Sequence, residues 1–181
     1  MPPHLPPTTL RTQLRRATGD LHGALDALLG RLDLSTLRDL GRLLDVHARV
    51  LPGVERALEG QGVWDDDLDW ASRARAGSLA RDREVLGLPP PPSPSAEPTF
   101  PTPAARMGAI YVLEGSRAGG AMLARSLAPS APRAFLTHGI DAHLWPTFAR
   151  RLEAHPPNPA SEGAAVAVFE RYLEAAQEVC R

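Results

Sequence analysis

The chain has 181 residues and 19.4 kDa, 43% hydrophobic and 23% charged, which suits one globular domain with a real core and is short for two. Twenty Lys+Arg against twenty-one Asp+Glu leave a formal charge of -1, so no global basic field exists to hold nucleic acid or an anionic membrane. Every basic residue among the Lys+Arg is Arg, which excludes mechanisms that need a lysine, such as a Schiff base or a P-loop.

The stretch from Met1 to Leu10 holds four prolines and no apolar run; residues 1–8 are expected to be flexible and not to act as a signal peptide. Leu10, Leu14, Ala17, Leu21, Leu25 and Leu28 then recur at helical steps, predicting a first helix over Thr9 to Leu29 that Gly30 ends. A second helix is expected after Ser35 as N-cap, running to Gly60 with a kink at Pro52. A short third spans Trp70 to Leu86. Residues 89–103 contain eight prolines in fifteen positions and read as a stiff connector. Ala104 to Leu127 forms a fourth helix, and Asp141 to Ala154 a fifth with Pro146 in its first turn. A sixth starts at Ser161, with Phe169, Tyr172, Leu173, Ala176 and Val179 as its buried stripe. Sustained strand alternation is missing, so the fold class is all-α: residues 1–181 as a single compact helical bundle.

One cysteine, Cys180, allows no internal disulfide or thiolate metal cluster, and a reducing cytoplasm is the expected compartment. No stretch approaches the roughly 18 to 20 apolar residues of a membrane span.

Two helices carry candidate chemistry. On a wheel of the first, Arg11, Arg15, Thr18 and His22 cluster on one flank of the leucine stripe, roughly 40° to 100° from Leu14. A histidine at that edge is a candidate metal ligand with arginines beside it for an anion; the alternative is a boundary histidine with two solvated arginines. In the fourth helix Gly108, Val112, Gly115, Gly119 and Met122 share one face, with Ser116 and Leu123 at its edge. Each glycine inside a helix costs about 1 kcal/mol against Ala, so this bare backbone must serve close helix packing or a flat ligand.

Other chemistries fit less well. Di-iron bundles need Glu-x-x-His on two helices, and none of His22, His47, His138, His143 or His155 has an acid three positions earlier. A serine-hydrolase elbow is missing, because Glu-Gly-Ser-Arg-Ala-Gly has the wrong spacing and lies in a helix. His47, His138, His143 and His155 read as surface or capping residues, and Asp65, Asp66, Asp67 with Asp69 as a solvated turn or cap.

Leu10-Arg-x-x-Leu-Arg-x-Ala-Thr-x-x-x-His-x-x-Leu-Asp26 resembles the proximal helix of heme oxygenases, and Tyr111-Val-Leu-Glu-Gly-Ser-Arg-x-Gly-Gly120 resembles their distal helix. The Glu-Gly-Ser form is similar to the bacterial, biliverdin-producing branch associated with bacteriophytochromes. Leu144-Trp-Pro-x-Phe148 and the Phe169 region add weaker likeness, in the right order along the chain. The resemblance implies heme sandwiched between the two helices, with His22 as iron ligand and its other ring nitrogen held by an acceptor not named by the motif. It implies that Gly115, Gly119 and Gly120 let the distal backbone approach the porphyrin and leave room for dioxygen. Arg11 and Arg15 stand in for the lysines that the family often uses on the propionates, and Tyr111 is a pocket donor or a core aromatic.

The implied activity is oxidative opening of heme to biliverdin, iron and carbon monoxide, with dioxygen and electrons from a donor such as ferredoxin or a reductase. A bacteriophytochrome is a possible acceptor of the biliverdin, and neither nucleic acid nor membrane is expected as partner. Many family members have Asp after the first distal glycine, where this chain has Ser116. Either the hydroxyl or a neighbour holds the distal water in its place, the reading taken here, or the network is weaker and turnover slow. The alternatives are a heme-binding or heme-delivery protein without catalysis on the same fold, and a related bundle acting on another small molecule without heme.

Overall fold

A computed structural model describes residues 9–60, 68–92, 97–140 and 143–181. Helices make up its regular structure: α1 (Leu10–Leu29), α2 (Leu37–Gly60), α3 (Trp70–Arg73), α4 (Ala76–Val85), α5 (Pro103–Leu123), α6 (Ala134–Thr137), α7 (Leu144–Ala154) and α8 (Pro159–Val179). Strands do not occur among the described residues. Residues 1–8 and Asp65 to Asp67 lie outside the described residues, as do 93–96 of the proline-rich connector and Asp141 at the expected start of the fifth helix.

Side-chain caps set most of the helix starts. The Thr9 hydroxyl accepts from Thr12 N–H, Thr102 from Ala105 N–H, and the Asn158 side chain from Ala160 N–H, each satisfying a first-turn amide that the helix itself leaves unpaired. Prolines in the first turn follow two of these caps, at Pro103 and Pro159, where a missing N–H does no harm. The second helix is capped one residue later than Ser35: Thr36 Oγ1 accepts from Asp39 N–H at 3.3 Å, while Ser35 Oγ donates to Asp33 at 2.6 Å. Helix α2 continues through Pro52.

The expected third helix is two. The Glu55 carboxylate accepts the N–H groups of Arg75 at 2.9 Å and Ala76 at 3.0 Å, so a buried side chain of α2 caps α4 and separates it from α3. The Asp82 carboxylate does the same for α6, accepting from Ala134 and Phe135 at 3.1 and 2.8 Å.

Three helices place the site. At one corner, Leu10 N–H donates to His155 O at 2.9 Å, Gln13 bonds Glu162 at 2.7 Å, and Ser161 Oγ donates to Ala104 O at 2.7 Å. The starts of α1 and α5 are thus both pinned to the start of α8. From that corner all three run in the same direction, as the His22 ring against Phe169 at 5.8 Å shows for α1 and α8. Helices α1 and α5 flank α8 and α7 and barely meet each other. Leu10, Leu14 and Thr18 are buried, whereas Leu21, Leu25 and Leu28 further along α1 are half-buried, so the apolar stripe of α1 is less covered toward its C-terminal end.

Candidate functional site

His22 sits on α1 with its side chain 61% exposed, and its Nδ1 lies 2.9 Å from the Asp26 carboxylate, one turn on. A carboxylate one turn along the same helix is of the type that orients a metal-ligating imidazole through its second ring nitrogen, so Asp26 is the group placed to be the acceptor that the motif left unnamed. Phe169 of α8 lies beside the ring at an interplanar angle of 58°.

Helix α5 divides its glycines between two purposes. A Cβ on Gly108 would meet the backbone oxygen of Ser161 at 2.0 Å, and one on Gly120 would touch Leu136 at 3.4 Å. Those two serve helix packing. At Gly115 and Gly119 a Cβ would meet nothing within 4 Å, so this backbone borders open space. Tyr111 and Met122 continue the same open stripe; Tyr111 is half-buried, with its ring 6.2 Å from that of Trp145, and Met122 is 68% exposed.

Both faces lie at one level of the bundle. His22 is nine residues past Gln13, Gly115 seven past Gly108 and Phe169 eight past Ser161, each about 10–14 Å from the shared corner at helical rise. An exposed imidazole on α1 and bare backbone on α5 thus stand at one level of the bundle, an arrangement apt for a flat ligand with a central metal. Groups of three or more His, Cys, Asp or Glu able to cage a bare ion do not occur among the described residues.

The remaining candidates are distributed as follows. Arg11 is ion-paired with Glu153 of α7. Arg15, seven residues before His22 and on the same flank, is exposed and has no partner among the described residues. Ser116 sits at the edge of the open stripe, its hydroxyl donating to Leu113 O at 2.9 Å and accepting from Arg75 Nη2.

That last bond belongs to a buried polar cluster that sequence reasoning missed. Glu114 (1% exposed) pairs with Arg73 at 2.7 Å and Arg117 at 3.0 Å. Arg117 also donates to Arg73 O at 2.6 Å and His138 O at 2.8 Å. Arg75 is 1% exposed; burial first, then Arg117, lowers its pKa to about 10. His47, expected at the surface, is 8% exposed between Phe135 at 4.8 Å and Tyr172 at 5.3 Å. Burial, and secondly Arg75, depresses its pKa to about 3, so it is neutral. His138 is likewise half-buried, with its pKa lowered by burial and then by Arg117. His143 and His155 do lie at the two ends of α7, as expected. Only the Glu114/Arg117 spacing, one helical turn, hinted at this cluster.

No protein-family model matches the chain. The heme oxygenase of Xanthomonas campestris pv. campestris (strain 8004) is 32% identical over 151 residues, covering 76% of this chain and 84% of that protein. Among solved structures, the NO- and CO-bound heme oxygenase of Neisseria meningitidis superposes with a TM-score of 0.78 at 19% identity, over 94% of this chain and 92% of the other. The heme oxygenase of Leptospira interrogans gives 0.73 at 17%, over 94% and 100%. Fold and sequence agree on one class, a single compact all-helical protein. The chain belongs to the heme oxygenase family.

Proposed function

We propose that residues 1–181 act as one domain that binds heme between α1 and α5 and opens it oxidatively to biliverdin, iron and carbon monoxide. The observation that carries this reading is the exposed His22 imidazole on α1, with Asp26 beside it, at the same level of the bundle as the open Gly115 and Gly119 backbone of α5, the two walls of the proposed heme slot. Heme, as substrate, supplies both the iron at which dioxygen is activated and the porphyrin carbon that is oxidised.

The chain's residues do the rest. His22 is the residue that would hold the iron, with the Asp26 carboxylate beside Nδ1 to orient the ring. Gly115 and Gly119 admit the planar substrate and a small ligand where any side chain would stand in the way, while Gly120 sets the distance of α5 from α6. Arg15, exposed on the His22 flank and without a partner among the described residues, is suited to a propionate carboxylate; Arg11 orients that flank through Glu153. Tyr111 borders the stripe against Trp145. The electrons come from an external donor of the ferredoxin or reductase type, a bacteriophytochrome is the acceptor we favour for the product, and the cytoplasm is the setting. None of the helices among the described residues is long and apolar enough to cross a membrane.

A second reading, heme carriage without turnover, is favoured by one observation: both bonds of Ser116 are internal to the protein. Titrating hemin into the purified chain and then adding ascorbate or reduced ferredoxin in air decides between the two. A one-to-one Soret band that decays into biliverdin absorption is the expected result. A band that survives reduction means carriage, and no band overturns both.

A further inference from the structure

Behind the open face of α5 lies a buried guanidinium, that of Arg75, on which Glu114 and Glu55 act only from a distance. Among the described residues no carboxylate bonds the Arg75 guanidinium: Glu55 is occupied by the backbone N–H groups of Arg75 and Ala76, and Glu114 by Arg73 and Arg117. The cluster thus holds three guanidinium groups against two carboxylates. His47 beside it is neutral and adds nothing to balance. Instead of an anion, Arg75 meets the face of Phe135 at 4.8 Å and the oxygen of Leu113 at 2.8 Å.

Its remaining contact is the Ser116 hydroxyl. Arg75 Nε has no acceptor, and neither His47 Nδ1 nor the Tyr172 hydroxyl has a protein partner, so the hydrogen-bonding capacity of this interior is as undercommitted as its charge. Ser116 is half-buried, placed on α5 between open Gly119 and packed Gly120. It is the one group through which that charge reaches the stripe. A hydroxyl that accepts from a cation is a stronger donor, because the two bonds polarise each other, and a hydroxyl proton is free to swing from Leu113 O to a better acceptor.

Resting on the heme-binding reading above, we propose that Arg75 is a positioning residue that acts through Ser116. The polarised hydroxyl turns from Leu113 and donates to an anionic ligand held at the iron beside Gly115 and Gly119. The proposed heme slot of this chain therefore selects anions over neutral ligands by a charge-assisted donor on α5, whose charge is supplied by Arg75 at the start of α4.

Fluoride binding to the ferric, heme-loaded chain at fixed pH and ionic strength tests this, with the C–O stretch of the ferrous carbon monoxide complex as a second readout. Ser116→Ala is expected to weaken fluoride at least about tenfold and to raise the C–O stretching frequency, the loss of one charge-assisted donor. Ser116→Thr should restore both to within about threefold of the unaltered chain, and Arg75→Met, where circular dichroism shows it folded, should match Ser116→Ala. Fluoride affinity in Ser116→Ala within threefold of the unaltered chain overturns the proposal while heme binding stands. Absence of a Soret band in the unaltered chain overturns the heme reading and the proposal with it.

Discussion

Gly108 and Gly115 lie seven residues apart on one face of α5, chemically identical and nearly in line, and they do opposite things. At Gly108 the backbone of α8 comes so close that a methyl group would fall 2.0 Å from Ser161 O; at Gly115 nothing stands within 4 Å. Gly108 spends its missing side chain on packing, Gly115 on leaving its face of the helix open. What separates them is the divergence of α1 and α5 from their common corner on α8. A small-residue stripe thus says where a backbone is bare, and only the neighbours say what the bareness is for.

The sharpest way to break the packed side is at its charge centre. Glu114→Ala leaves Arg73 and Arg117 buried without a counter-charge and is expected to cost about 3–5 kcal/mol, read as a shift in the urea midpoint. Gly108→Ala forces α5 and α8 apart and should cost about 3 kcal/mol, the upper end of overpacking. Acid attacks the same interior. His47 ionises at about 3 when folded and near 6.5 when unfolded, so between those values the unfolded chain binds a proton that the folded one refuses. Stability from this group is complete above pH 6.5 and falls as the pH drops toward 3, by about 2 kcal/mol from pH 7 to pH 5. His47→Phe should flatten that slope.

On the open side the signs reverse. Gly115→Ala removes a helix-interior glycine with no clash and should stabilise the empty chain by about 0.5–1 kcal/mol, while weakening hemin binding in titration. An Ala at Gly115 that destabilises would show that the slot is closed. His22→Ala, on an exposed side chain, should move stability by less than about 0.5 kcal/mol yet abolish the histidine-ligated ferric spectrum; an intact spectrum would remove His22 as ligand.

Much of this was legible in the residues. Thr9 and Gly30 bounded α1 because capping chemistry is local, and His22 stood out because it sits on the edge of a leucine stripe. Where the cause lay elsewhere in the chain, sequence was blind. The split between α3 and α4 comes from Glu55, twenty residues earlier. Arg73, Arg75 and Arg117 carry charges that composition assigns to the surface, and their burial depends on partners from four helices meeting in space. His47 lacks any patterned partner because its environment is made by Phe135, Tyr172 and Arg75. Likewise, spacing put Ser116 on the edge of the stripe but not in the grip of Arg75.

The corner at which α1 and α5 are pinned has a thermodynamic consequence. Hydrogen bonds tie their first turns to α8, and heme bound between their later turns as proposed would serve the fold as a strut as well as a substrate. The loaded chain gains RT ln(1 + [L]/Kd), about 2.7 kcal/mol at a hundredfold excess over Kd, and loses it on release of product. Turnover in such a protein is coupled to a cycle of tightening and loosening of the bundle's open end.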